Sequence, residues 1–327
     1  MTWLLTGGAG YIGSHVLEEL QAGGTDVVVV DDLSTGLESR VPDGVPAYYV
    51  PVQKTEAIEE ILREHKVTGV IHFAAKKAVG ESVENPMYYY EENVGGLASL
   101  LRAMEQAGTR NMVFSSSAAV YGQPDNPEVS EDSPLVPESP YGETKAAGEW
   151  MVRASAVSRA QSENPLSYSL LRYFNVAGAK SPTLGDTSVA NLIPLVFRAL
   201  SEGQKPKVFG DDYSTPDGTC IRDYIHVVDL AQAHVVAAQA CEAASPGGFG
   251  AAYNIGTGKG SSVLEVLDEV RAVTGNDFEH EITPRRPGDP AALVADPTKI
   301  KTELGWSAQH DLADMVSSAW EAWQAQH

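Results

Sequence analysis

The chain has 327 residues, with 23 Lys+Arg against 44 Asp+Glu and a formal net charge of −21. At roughly 150 residues per domain this length points to two domains. Hydrophobic residues at 43% and charged residues at 20% fit a globular protein rather than a disordered tail. So acidic a surface repels the phosphates of nucleic acid and anionic lipid, and neither is expected as a partner. The apolar runs are short and no basic leader precedes an apolar core, so no membrane span is expected. Two cysteines, Cys220 and Cys241, make no disulfide framework, which suits reduced thiols and a cytoplasmic location. The eight His lack metal spacing and Cys220 lacks a CxxC partner, so no metal site is expected.

In chain order, residues 3–7 (WLLTG) read as a strand, and residues 11–21 as a helix stopped by Gly23 and Gly24. VVVVDD (27–32) is a second strand, continuously apolar as when both faces are buried. Residues 55–65 form an amphipathic helix with Thr55 as its cap, 67–75 a strand, 88–107 a longer helix ending at Gly108, and 111–117 (NMVFSSS) a strand. Pro124, Pro127, Pro134, Pro137 and Pro140 then leave no regular element. A helix over 141–160 and a strand over 166–174 follow. Strands alternating with helices imply a doubly wound parallel α/β sheet, because parallel strands need crossover connections. Beyond 175 the pattern thins to a helix near 191–202, a short strand at 207–210 and a Gly/Pro/Asp loop at 210–218, which suggests a smaller loop-rich unit.

TGGAGYIGS sets Gly7, Gly10 and Gly13 between the first strand and the first helix. Glycines there let backbone approach a diphosphate, and the helix start offers unpaired N–H groups and the positive dipole end. Tyr11 and Ile12 belong to this turn. Asp31, at the end of the second strand, can accept from adenosine ribose hydroxyls and would repel a 2′-phosphate, which selects NAD over NADP. Asp32 could share that role.

Tyr141 and Lys145 stand one helical turn apart on one face. A free phenol has a pKa of about 10, so service as a base near neutral pH requires about 4 kcal/mol of differential stabilisation. An ammonium and an oxidised nicotinamide ring can supply it. YxxxK alone is weak. Its weight here comes from its position after a strand that ends in Ser115, Ser116 and Ser117, since hydroxyls at the carboxyl end of a parallel strand face the ligand crevice.

TGGAGYIGS, HFAAKKAVGES, FSSSAAVYG, SPYGETK, LRYFNVAGA, IRDYIHVVDLA, YNIGTG and PRRPGDP, in that order, resemble the UDP-glucose 4-epimerases of the extended short-chain dehydrogenase/reductase superfamily, from residue 2 to about residue 323. The resemblance implies a Rossmann-type doubly wound parallel sheet with a smaller α/β C-terminal substrate lobe. It puts an NAD-binding domain at 1–174, with later segments near 220–245 returning to it, and a UDP-sugar lobe at 175–327. It implies Tyr141 as base, Lys145 on the nicotinamide ribose and depressing the Tyr pKa, and Ser117 on the reacting hydroxyl. Gly7, Gly10, Tyr11, Ile12, Gly13, Asp31, Asp32, Val52, Phe73, Ala74, Lys77, Asn93 and Phe174 would surround tightly bound NAD. Lys77, Asn175, Asn191, Leu192, Arg222, Arg286, Asp289 and Leu293 would hold the UDP-sugar, and the protein would be a homodimer.

The chain departs from the family pattern in places. Where relatives have an acid reaching adenine, this chain has Pro51, followed by Val52. Leu293 occupies the size-limiting sugar position, so other UDP-sugars (N-acetylhexosamine, uronic acid, pentose) stay open. Glu92 falls where some relatives have Asn. A 4,6-dehydratase needs an added acid–base pair after the serine; Ala118 and Ala119 stand there instead. A silent NAD sensor would be expected to lose Tyr141 or Lys145, and both are present.

Overall fold

The computed structural model describes residues 1–244, 248–286 and 288–327. Residue 245 of the segment expected to return to the first domain, and Pro287 of PRRPGDP, lie outside them. The chain divides into two compact units. The first comprises Met1–Val120, Pro137–Arg172 and Ala231–Tyr253; the second comprises Tyr121–Val136, Tyr173–Leu230 and Asn254–His327.

The first unit carries a seven-stranded sheet. Its order is Gly250–Ile255, Ser167–Tyr173, Asn111–Ser117, Gly69–His72, Thr2–Thr6, Asp26–Val30 and Ala47–Tyr48. The pairings from Asn111–Ser117 through to Ala47–Tyr48 are all parallel. Strand order reverses at Thr2–Thr6, which lies between the second strand and the fourth. Ligands of such sheets bind outside the strand carboxyl ends at that reversal. The glycine turn starts there. Leu4, Val28, Val70 and Met112 lie in the core with Ile58 and Leu100 of the covering helices.

The helix Tyr11–Ala22 follows the glycine turn directly. In the helix Thr55–Glu64 the cap residue is Lys54, so Thr55 is the first helical residue rather than the cap. The expected single helix over 88–107 is built in three pieces. Pro86–Tyr89 leads into a π-helical turn, Tyr90–Gly95, and then into Gly96–Ala107, with Gly108 in the left-handed region closing it. Wider turns of this kind are frequent at functional sites. The helix Pro140–Arg159 starts with Pro140 in its first turn and Ser139 as cap, whose hydroxyl accepts from Gly142 N–H at 3.1 Å.

In the second unit, Ile221–His226 pairs with Gly260–Ser262, Ala292–Ala295 and Asn175–Ala177. The proline-rich loop is not wholly irregular. Glu128–Val129 pairs in parallel with Val294 and Ala295, since prolines on either side leave the intervening N–H groups free to bond. Lys207–Phe209 pairs with Glu281–Thr283. Phe197, Val208, Tyr224, Leu267, Met315 and Trp323 fill this unit's core. Among the described residues, no helix is long and apolar enough to cross a membrane.

Candidate functional site

At the glycine turn a Cβ on Gly13 would lie 2.3 Å from the Gly7 carbonyl oxygen, so only glycine lets the helix start this close to the strand. Gly7 N–H donates to Val30 O at 2.7 Å, and Gly10 N–H to Gly7 O at 3.1 Å. First-turn N–H groups have no intrahelical acceptor, so this cradle suits a diphosphate. Asp31 is buried. Its two oxygens accept from Ala9 N–H at 3.0 Å and Leu33 N–H at 2.8 Å, tying the turn to the end of the second strand. Burial raises its pKa against those bonds. Asp32 is held below the usual range; burial opposes this, but bonds from Ser34 and the Lys76 charge prevail. The residues present therefore fit a dinucleotide, with carboxylates at the position expected to meet a ribose.

Phe73 and Ala74 donate their N–H groups to Thr6 O at 2.9 and 3.1 Å, which lays this loop beside the glycine turn. Lys77 is exposed. Asn93 sits in the π-helical turn and is buried. Its amide oxygen accepts from Lys76 N–H at 2.7 Å, and its nitrogen donates to Lys76 O and Thr144 Oγ1, both at 3.0 Å. It thereby clamps the loop to the helix of Tyr141. Val52 lies in the apolar core, where a Cβ on Gly96 would come within 2.9 Å of it.

Tyr141 stands in the first turn of Pro140–Arg159, and Ser117 ends the strand Asn111–Ser117. They meet because Gly142 lets the helix approach: a Cβ there would sit 2.7 Å from the Ala119 carbonyl. Ser117 Oγ accepts from Ala119 N–H at 3.2 Å and is hydrogen-bonded to the phenol. Lys145 is buried and donates to Ser115 O at 2.9 Å; its Nζ lies 6.0 Å from the centre of the Tyr141 ring.

The electrostatics correct one expectation. The phenol of Tyr141 is raised, not depressed: burial disfavours the anion and outweighs the Ser117 bond that lowers it. The Lys145 ammonium points at the Ser115 carbonyl rather than the phenol. Burial lowers Lys145 to about 8, still mostly protonated at neutral pH. The protein alone thus supplies the geometry of a base without its ionisation.

Spacing did not reveal what fixes this pair. Ser116 Oγ donates to Glu149 Oε1 at 2.7 Å, and Arg172 reaches both Glu149 oxygens at 2.8 and 2.7 Å. Ser115 Oγ lies 3.1 Å from His234 Nε2. Each of the three serines therefore anchors a different contact.

In the second unit, Arg222 Nη2 meets Asp289 Oδ1 at 3.3 Å, and its Nη1 donates to Pro290 O at 2.8 Å. Leu293 is the register partner of Arg222 and is buried. Asp223 fixes the strand of Arg222 by accepting from Thr257 N–H and hydroxyl, Gly258 N–H and Ala295 N–H. Arg286 is exposed and stacks 3.8 Å from the centre of the Phe209 ring, an aromatic neighbour the sequence did not single out. Asn191 caps the helix Leu192–Ser201, and its amide nitrogen donates to Asp186 at 3.2 Å. Asn175 opens its short strand, and Phe174 is buried with its N–H on Ile255 O at 3.3 Å.

Comparison with known proteins agrees with this construction. Residues 3–256 match the model of the NAD dependent epimerase/dehydratase family. A curated UDP-glucose 4-epimerase of Halalkalibacterium halodurans is 44% identical over 332 residues, covering 100% of this chain and 96% of the relative. The crystal structure of UDP-glucose-4-epimerase from Stenotrophomonas maltophila, with bound NAD and formylated UDP-arabinopyranose, superposes with a TM-score of 0.94 at 39% identity; coverage is 100% of this chain and 98% of that one. That of Bifidobacterium longum, in complex with NAD+ and UDP, gives 0.90 at 39% identity with the same coverage. The chain belongs to the NAD dependent epimerase/dehydratase family, among the UDP-glucose 4-epimerases.

Proposed function

We propose that the protein interconverts UDP-galactose and UDP-glucose by inverting carbon 4 through a transient 4-keto sugar. NAD, when bound, supplies a hydride acceptor that returns what it takes, so there is no net oxidation and no need for cofactor exchange. Tyr141 takes the proton of the 4-hydroxyl and later gives it back. Ser117 hydrogen-bonds the reacting hydroxyl, and Lys145, held on Ser115 O one helical turn on, would bond the nicotinamide ribose. Ionisation of Tyr141 awaits the positive ring, because burial in the protein alone opposes it. The glycine turn, Asp31 and Asp32 hold the dinucleotide, with Tyr11, Ile12, Phe73, Ala74, Lys77 and Phe174 around it. Val52 and Asn93 act from behind, as core and clamp.

The nucleotide grip lies in the second unit. Arg222 and Arg286 take the diphosphate that a chain at −21 would otherwise repel. Asp289 takes the uridine ribose, and Asn175, Asn191, Leu192 and Leu293 line the rest. Domain roles follow: dinucleotide in the first unit, UDP-sugar in the second. A cytoplasmic homodimer is part of the proposal. Trp150 and Val157, 59% and 78% exposed and two turns apart on the outer face of Pro140–Arg159, support an interface between copies.

The observation that carries the reading is Tyr141 held against Ser117 at a strand's carboxyl end with Lys145 one turn on. The test is UDP-galactose with purified protein and no added cofactor. UDP-glucose as product supports the reading. A keto-deoxy sugar would instead indicate a dehydratase, and no product a sensor.

A further inference from the structure

Tyr213 lies in the turn between Lys207–Phe209 and Ile221–His226. Its N–H donates to Gly218 O, and its carbonyl accepts from Thr215 N–H, both at 2.8 Å. The Arg285 guanidinium covers the ring at 4.1 Å from its centre, and Arg285 Nε is itself held on Asp212 Oδ1 at 2.6 Å. A Cβ on Gly210 would lie 2.8 Å from the ring's Cε2. The ring is thus locked and only the hydroxyl rotor is free. That hydroxyl is buried and has no hydrogen-bond partner among the described residues. An unmet buried hydroxyl is destabilising, so a second state that uses it offers an explanation. Four residues after the Arg285 that covers the ring comes Asp289, whose N–H donates to Arg286 O at 3.4 Å and whose carboxylate pairs with Arg222. Asp289 and Arg222 meet at 3.3 Å, long for an ion pair with a hydrogen bond.

We infer that Tyr213 is a positioning residue of the nucleotide site: its hydroxyl becomes the donor to the Asp289 carboxylate when Arg222 turns from Asp289 to a nucleoside diphosphate. The inference rests on the reading of Arg222 and Asp289 given above. A diphosphate outcompetes one carboxylate for a guanidinium because it presents more charge and more acceptor oxygens. Asp289, only a third exposed, then loses its donor just as it must be aimed at a ribose. A neutral phenol replaces that donor without adding a second cation to compete for the phosphate. The hydroxyl left unmet without nucleotide is the one required with it.

The test is titration of UDP into the NAD-loaded protein, using wild type, Tyr213→Phe, Asp289→Asn and the double variant. Tyr213→Phe keeps the ring under Arg285 and removes only the hydroxyl. Expected are about tenfold weaker UDP binding, as for one hydrogen bond to a charged group, and a raised KM for UDP-galactose with kcat unchanged. The double-variant cycle should be non-additive. The thermal midpoint without UDP should be unchanged or higher, a result that a structural role for the hydroxyl would not give. UDP affinity equal to wild type, or strict additivity, overturns the inference. So does a lowered midpoint with affinity retained. Arg222→Gln separates the levels: if it too leaves UDP affinity intact, the nucleotide reading itself fails.

Discussion

Tyr141 is a poor base until something favours its anion, and the residues around it show which groups do so. Burial pushes the phenol up, the Ser117 bond pulls it down, and Lys145 is occupied by Ser115 O. Removing a positioned general base costs about 10²–10⁴-fold in rate. Tyr141→Phe should therefore lose kcat on that scale while UDP titration stays at the wild-type value; near-normal turnover would remove Tyr141 from the role. At this scale the sequence was legible where contacts are local. Helical spacing puts Lys145 one turn after Tyr141, and the strand reading puts Ser117 at a strand end. Tyr213, Phe209 and Glu149 were not legible, because each acquires its meaning from a partner distant in sequence: Arg285, Arg286 and Arg172 respectively.

The helix Pro140–Arg159 delivers Tyr141 only if it is fixed against the strands beneath it. Glu149, fully buried, does this by bonding Ser116 on one strand and Arg172 on another. Breaking a buried pair leaves a charge unmatched and typically costs 3–5 kcal/mol, so Glu149→Gln should lower stability by about that much. Urea unfolding measures it, and a loss under about 1 kcal/mol would mean the charge on Glu149 is dispensable. Elements read well from sequence where a helix end carries glycine, as at Gly108, while Pro140, read as a breaker, is the first residue of its helix. They read poorly where tertiary contacts decide. The π-helical turn at Tyr90–Gly95 accommodates Asn93 as a clamp on Lys76 and Thr144, contacts invisible to periodicity. Glu128–Val129 is a strand only because Val294 and Ala295 lie beside it.

Across the whole molecule, two buried imidazoles tie stability to pH. His72 is lowered to about 3, by burial first and then by the Lys145 charge. His226 is lowered to about 4, by burial first and then by His310, with Asp229 and Asp314 opposing. An unfolded histidine titrates near 6.5, so between that pH and these values the unfolded chain binds more protons than the folded one. Stability contributed by the neutral folded imidazoles is present above about 6.5 and declines as acid is added. Thermal midpoints should fall as pH drops from 6.5 toward 4, and less steeply in His226→Gln; parallel curves would rule His226 out as a source. Length pointed to two domains, and only the resemblance expected segments near 220–245 to return to the first; the segment that returns is Ala231–Tyr253. That depends on a strand, Gly250–Ile255, finding the edge of a sheet begun at Thr2. In the proposed reaction hydride leaves carbon 4 and returns to it within one protein molecule. This is tested most directly with UDP-galactose deuterated at carbon 4, given to purified protein without added NAD. UDP-glucose retaining the deuterium at carbon 4 is the predicted result. Product with that label exchanged for solvent hydrogen would contradict it.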